Sequence, residues 1–184
     1  MKIGIVSGSI RNGRKSHRVA LALVAAIKDS GNEPIMIDLL EHALSRFTER
    51  INFLQEEERS KEMQDLATLL NESEAIVFVT PEYNGGIAAA LKQFIDTMDR
   101  KGFSGKPIAV ASVSDGVLGG IRAAMQLQQT ILAIQAYPQP QMLTVGEVSK
   151  QFDENGVLIN PDFDKRLTSF VSSFIQFSAR FKSN

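Results

Sequence analysis

Three stretches, Ile3-Gly4-Ile5-Val6, Ala75-Ile76-Val77-Phe78-Val79 and Ile108-Ala109-Val110-Ala111, are apolar or small at every position rather than at every second one. A strand with one face in water alternates; a strand covered on both faces does not, and that is the mark of a buried parallel sheet. Each run leads through Gly, Ser or Asn into a helical pattern. Val19, Leu23, Ala26 and Ile27 share one helical face, as do Leu91, Phe94, Ile95 and Met98, and Ile121, Ala124, Met125, Gln128 and Ile131. Gly31 is placed to end the first helix. Glu33–Leu39 reads as another strand. Glu56, Glu57 and Glu58 open a helix at its positive end, with Met63, Leu66, Ala67 and Leu70 facing inward. Ala136–Val145 contains a fifth strand, which Pro138 and Pro140 make irregular or put at an edge.

The rest of the chain closes the domain. Asn155-Gly156 between apolar flanks signals a small hairpin. Pro161-Asp162 starts a last helix whose Phe163, Leu167, Phe170, Phe174, Phe177 and Phe181 form a core-facing seam, with Arg180 and Lys182 at its negative end. Residues 40–55 have no clean period; Phe47 and Phe53 with Arg46, Glu49 and Arg50 suit either a mobile loop at the rim of a site or an irregular connector. Strand and helix alternate five times, which predicts one α/β domain over residues 1–184. Its form is a three-layer sandwich: a five-stranded parallel sheet with helices on both faces.

Composition removes several classes of function. The 184 residues include no cysteine, so disulfides, thiolate catalysis and cysteine-ligated metals are excluded. The two histidines, His17 and His42, lack metal-ligand spacing, so no metal is expected. A net charge of −1 argues against a nucleic-acid partner. No apolar run is long enough to span a bilayer, and the N-terminus enters a strand with no signal-peptide core. The expectation is a cytoplasmic protein with no membrane partner.

Against that neutral background the first loop is basic. Arg11, Arg14, Lys15 and Arg18 precede the first acidic residue, Asp29. Gly8 and Gly13 permit backbone conformations that larger residues resist, and Ser16 is placed to cap the next helix. A helix N-terminus with nearby cations attracts phosphate. The loop is neither the dinucleotide fingerprint nor the ATPase P-loop, and it has hydroxyls and arginines suited to a terminal phosphate monoester. A strand-to-helix turn with solvent-facing basic residues explains this stretch equally well when it is taken alone. Two further loops, 80–86 and 112–120, are also rich in Gly, Ser or Asn and also follow apolar strands. In a parallel sheet all three belong at the carboxyl edge, where ligands bind. Together they favour a phosphate-bearing planar ligand.

Gly8-Ser9-Ile10-Arg11 with Ser16, then Pro81-Glu82-Tyr83-Asn84, then Gly119-Gly120-Ile121-Arg122 resemble the NADPH-dependent FMN reductases. That family has a flavodoxin-like fold and includes quinone reductases, chromate reductases and azoreductases. The resemblance covers almost the whole chain, including Gly105-Lys106-Pro107 and the late hairpin. It implies FMN as cofactor and NADPH or NADH as co-substrate. The implied acceptor is a small molecule: a quinone, an azo compound, free flavin or a metal oxyanion. It implies that Ser9, Arg11 and Ser16 hold the phosphate, with His17 and Arg18 contributing. Pro81, Glu82, Tyr83, Asn84 and Gly85 would line the ring, and the 112–120 loop, with Ser112, Ser114, Gly116 and Gly120, would close its other side. The family expectation for assembly is a homodimer or homotetramer. Two departures stand out: many members carry Asn in place of Arg18, and many carry a bulkier residue or Pro within residues 85–90.

With flavin carrying the redox chemistry, no protein nucleophile is required. Glu82 and Asp115 are equally well read as surface charges. A flavodoxin-type electron carrier and a flavin-based redox sensor are the rival readings. Carriers are usually acidic, which this chain is not. A hydrolase would need a Ser–His pair that neither histidine is placed to supply.

Overall fold

The computed structural model describes residues 1–45 and 47–181; Arg46 and Lys182 lie outside the described residues. The continuous apolar runs become β1 (Lys2–Ser7), β3 (Ala75–Pro81) and β4 (Pro107–Val113), and β2 (Glu33–Asp38) joins them. Helices α1 (Ser16–Asp29), α2 (Lys61–Glu72), α3 (Ala89–Thr97), α4 (Ile121–Ala133) and α5 (Pro161–Ala179) alternate with the strands. All pairings are parallel, in the order β2-β1-β3-β4 and then the fifth position. Ile5 faces Met36 on one side and Val77 on the other. The order reverses direction at β1, so the crevice beyond β1 and β3 is where this topology leaves room for a ligand.

The fifth position is divided, as its prolines predict. β5 (Tyr137–Pro138) pairs with the start of β4 and β6 (Leu143–Val145) with its end. Pro138 and Pro140 have no N–H to donate, so the pairing is interrupted where the sheet ends.

Period-2 side chains divide the core between the two faces. Ile3, Ile5, Val77, Val79, Ala109 and Ala111 pack with Val19 and Leu23 of α1 and with Phe163, Leu167, Phe170 and Phe174 of α5. Val6, Ile76, Phe78, Ile108 and Val110 point the other way, against Leu66 and Leu70 of α2, Leu91 and Phe94 of α3, and Leu127 and Ile131 of α4. The aromatic seam of α5 from Phe163 to Phe174 is therefore core, whereas Phe177 is half-buried and Phe181, beyond the helix end, stacks on the exposed Tyr137 at a ring separation of 4.4 Å. Among the described residues no helix is long and apolar enough to cross a membrane.

Two helix starts differ from the sequence expectation. Glu56–Glu58 form a separate single turn, closed by reciprocal bonds between Gln55 and Glu58. The helix itself begins at Lys61, where the Ser60 hydroxyl accepts from the Met63 amide; a good capping residue outweighed the acidic run. Ser16 does not cap α1. It is the first helical residue, Lys15 holds the cap position, and no side chain accepts from the first turn. The late hairpin is present, with Phe152 bridged to Leu158 across a turn in which Gly156 has φ +82°.

Candidate functional site

The hydroxyls at the carboxyl ends of the strands shape the loops beyond them. Ser7 Oγ lies 3.1 Å from His17 Nδ1. Thr80 Oγ1 donates to Pro81 O at 2.9 Å and accepts from the Ala88 amide at 3.1 Å, which sets the start of α3. Ser112 Oγ donates to Gly119 O at 2.7 Å and folds the 114–120 loop back over β4. Gly8 opens the first loop at a point of close approach: an added Cβ would lie 2.8 Å from Val79 O and 2.9 Å from Leu91 Cβ.

These loops enclose a cleft of about 320 Å³ at the carboxyl edge of β1, β3 and β4. Residues 11–16 form one wall, Pro81, Glu82 and Tyr83 a second, and Val113, Ser114, Asp115 and Val148 a third. A hollow of about 230 Å³ adjoins it, sharing Glu82 and Ser114 and bounded by Gly116, Gly120 and Arg122. The convergence expected from three small-residue loops is thus observed. Loop 40–55 is elsewhere: its Leu44 and Ser45 carbonyls accept from Gln93 of α3, and none of its described residues lines the cleft.

The individual residues fall into three groups. Arg11, Ser16, Pro81, Glu82, Tyr83 and Ser114 line the cleft, and Gly116 and Gly120 line the adjoining hollow. Asn84 and Gly85 are the centre of a tight turn with φ of 51° and 79°, closed by bonds between Tyr83 and Gly86 in both directions. That is the geometry for which Asn-Gly is the preferred pair. The amides of Asn84 and Gly85 have no partner among the described residues. The other four expected residues are placed differently. Ser9 is fully buried, its hydroxyl 2.8 Å from the Tyr83 phenol, and Ser112 is fully buried beneath the loop it holds. His17 turns inward to Ser7 and Asp38. Arg18 extends away and donates to the carbonyls of Asp153 and Glu154, fastening the late hairpin. Ser9 and Ser112 shape the loops, while His17 and Arg18 are engaged by Asp38 and the late hairpin and do not line the cleft. Of the other lining residues, Arg14 and Lys15 belong to the basic run and Val113 and Asp115 to the 112–120 loop, both legible in the sequence, whereas nothing in the sequence pointed to Asn12 or Val148.

The charges in the cleft are mostly paired. Arg14 forms a bidentate ion pair with Asp38. Lys15 Nζ is 2.7 Å from Asp115 Oδ2 and donates to Ser149 at 2.6 Å, linking the first and third walls. Hydrogen bonds from Lys15 and from the Ser149 hydroxyl hold the Asp115 carboxyl below its ordinary pKa. Glu82 is lowered for the same kind of reason, chiefly by its hydrogen bond from Arg122 Nε at 2.7 Å. Among the described residues Arg11 is the cleft cation with no carboxylate partner. Its guanidinium lies over the Tyr83 ring, 5.0 Å from the centroid. Beside it α1 presents a first turn with no acidic residue and no capping side chain. An uncapped helix start and an arginine without a carboxylate partner make this end of the cleft electropositive, with a flat aromatic wall next to it.

This is a doubly wound α/β domain with a basic cleft at its switch point. The match of residues 1–150 to the model of the NADPH-dependent FMN reductases makes the chain a member of that family, and hence an oxidoreductase whose family cofactors are FMN and NAD(P)H. It is 31% identical over 179 residues to a quinone reductase of Pseudomonas putida, covering 94% of this chain and 91% of that one. To a quinone reductase of Escherichia coli it is 30% identical over 133 residues, 70% of this chain and 71% of the other. In architecture it is similar to FerB, a flavoenzyme NAD(P)H:(acceptor) oxidoreductase of Paracoccus denitrificans. That match has a TM-score of 0.78 and 19% identity over 98% of each chain.

The donor set fits FMN. The phosphate end would meet Arg11 and the open amides of α1, and the ring end would lie between Pro81–Gly85 and the 114–120 loop. Peptide groups rather than carboxylates dominate the ring end, since Glu82 is already neutralised by Arg122.

Proposed function

We propose that this cleft binds FMN and that the protein carries electrons from NADPH or NADH to a small acceptor such as a quinone, an azo compound, free flavin or a metal oxyanion. The observation that supports it best is the unpaired Arg11 beside the uncapped start of α1, at the one edge where three small-residue loops converge. FMN held here would supply the two-electron redox chemistry between nicotinamide and acceptor.

The chain's own part is to bind, orient and stabilise. Arg11 and the first amides of α1 hold the phosphate, through charge-assisted bonds. The Asn84-Gly85 turn aims two amides at the ring edge, where preorganised donors favour the negative charge that reduction brings. The 114–120 loop, tied down by Ser112 and by the Lys15–Asp115 pair, limits water on the far side. No side chain is required as nucleophile or proton carrier. Because one cleft serves both partners, donor and acceptor use it in turn, a ping-pong mechanism. Self-association as a dimer or tetramer, with the cytoplasm as its place of action, belongs to the same reading. Met125 and Leu132 on the exposed face of α4 suit the contact, and light scattering measures it.

The test begins with the absorption spectrum of the purified protein. A flavin band, released on heating and identified as FMN, is expected, and anaerobic NADPH should bleach it with no further protein present. Bleaching that requires a second protein would favour an electron carrier instead. Double-reciprocal plots with NADPH and a quinone should be parallel; intersecting lines would rule out the shared cleft.

A further inference from the structure

The loop after β1 carries arginines that do different work. Arg11 is exposed and unpaired, whereas Arg14 borders the cleft but turns its guanidinium inward. Arg14 Nη1 donates to Ser9 O at 2.8 Å and to Asp38 Oδ1, and Nη2 donates to Asp38 Oδ2 at 2.5 Å. Only 11% of the Arg14 side chain and 3% of the Asp38 side chain remain exposed. Asp38 ends β2, and its Oδ1 also accepts from the Leu40 amide at 3.0 Å.

We propose that Arg14 and Asp38 are positioning residues: a buried clamp that sets the shape of the phosphate loop without itself holding the phosphate. The proposal rests on reading this cleft as an FMN site. Its first support is how few of the loop's backbone amides are bonded; the Ser9–Tyr83 and Lys15–Asp115 contacts join side chains across to other walls. The Gly8 amide bonds to Val79 O before it and the Arg18 amide to Lys15 O after it. Between them, among the described residues, the loop's own amides make one long bond, Arg11 N to Ser9 Oγ at 3.4 Å. The Arg14 fork ties residue 14 back to residue 9 and fastens both to the neighbouring strand.

The second support is electrostatic. If Arg14 swung out to a phosphate, Asp38 would be left buried with no cation but a neighbouring histidine ring. That histidine, His17, has Nδ1 3.5 Å from Asp38 Oδ2, and its burial works against its taking a charge. Removing one partner of a buried pair is far more costly than the pair's net worth. Arg14 therefore stays with Asp38, and recognition of the phosphate charge falls to Arg11 and the helix start. A lysine at position 14 would keep the charge but lacks the planar fork that spans Ser9 O and both carboxylate oxygens.

The clamp is tested with Asp38→Asn, Arg14→Gln, Arg14→Lys and the Asp38→Asn/Arg14→Gln pair. FMN and riboflavin are titrated into the flavin-free protein, and hydrogen exchange of amides 10–15 is followed in the same samples. Misplacing a donor set by a fraction of an ångström is costly, so each single change should weaken FMN by about tenfold or more. Riboflavin, with no phosphate, should change by less than about threefold. The double variant should be no worse than the poorer single variant, because both remove one interaction. Exchange should quicken at 10–15 and stay unchanged in the core strands. Tighter FMN binding by Asp38→Asn would overturn the proposal, because it would make Arg14 a phosphate ligand restrained by its partner. Equal weakening of both flavins with unchanged loop exchange would overturn it too. If the unaltered protein fails to prefer FMN over riboflavin while the variants still loosen the loop, the clamp stands and the cofactor reading falls.

Discussion

The Ser9 hydroxyl and the Tyr83 phenol lie 2.8 Å apart, joining the loop after β1 to the loop after β3. Two walls of the cleft are thereby fixed to each other, and Arg11 rests on the ring held by that bond. Tyr83→Phe should keep the ring and the arginine contact but leave the fully buried Ser9 Oγ with only the 3.4 Å contact to the Arg11 amide. A lost hydrogen bond of this kind costs about 1 kcal/mol. In a domain of this size that lowers Tm by about 2–4 °C. Thermal unfolding monitored by circular dichroism measures it; an unchanged Tm would show that the bond does not hold the walls together.

Arg11→Ala separates phosphate recognition from ring recognition. A hydrogen bond to a charged group contributes about 1.5–3 kcal/mol, so FMN should bind about tenfold to a few hundredfold more weakly. Riboflavin affinity should hardly change, and the effect should shrink at high salt because Arg11 is exposed. Fluorescence titration of the flavin-free protein with both ligands decides it. Equal loss for both would remove Arg11 from the phosphate site.

Asn84 and Gly85 carry the backbone strain of the second wall. Both have positive φ, and Asn is one of the few residues with a side chain that visit this region readily. Asn84→Val should destabilise by about 1–2 kcal/mol and weaken flavin binding. Asn84→Gly should keep both nearly intact. Chemical denaturation of the two variants compares them, and equal stability would mean that the turn relaxes without cost.

The sheet and its loops were legible because burial on both faces removes the alternation from β1, β3 and β4, and the three Gly, Ser and Asn clusters follow them directly. The phenylalanine seam of α5 and the divided edge strand were readable for similarly local reasons. The fates of His17, Arg14 and Arg18 were not. All three lie beside Ser16 in the chain, yet one turn of helix sends Arg18 to a hairpin 135 residues away while Arg14 and His17 turn to Asp38. A basic run shows that cations are near; which of them is neutralised depends on a carboxylate brought in by another strand. Ser112 shows the same limit: a hydroxyl at a strand end is equally able to reach a ligand or its own loop, and here Gly119 O takes it.

His17 and Asp38 together predict how the protein responds to acid. Burial lowers the His17 pKa from its ordinary 6.5, and the Arg14 charge lowers it further, against weaker opposing pulls from Asp38 and Glu41. Unfolded, the ring takes its proton near pH 6.5; folded, it does so only at lower pH. Between those values the unfolded chain holds more protons, so stability must fall as pH falls, by at most about 1.4 kcal/mol per pH unit for one proton. Above pH 6.5 both states are neutral there and the contribution is complete. Asp38 adds a second, separate loss. Burial alone would raise its pKa, but the hydrogen bonds from Arg14 and the Leu40 amide, with the nearby charges, outweigh it and bring it below 3.8. That contribution is complete above pH 3.8 and is lost as the carboxylate protonates in the folded protein. His17→Gln, with an amide to meet Ser7 and no charge to gain, should flatten the decline that starts near pH 6.5 and leave the one below 3.8 in place. Tm measured from pH 8 to pH 3 for both proteins tests this. If the variant declines from pH 6.5 as steeply as the parent, His17 is not the group responsible.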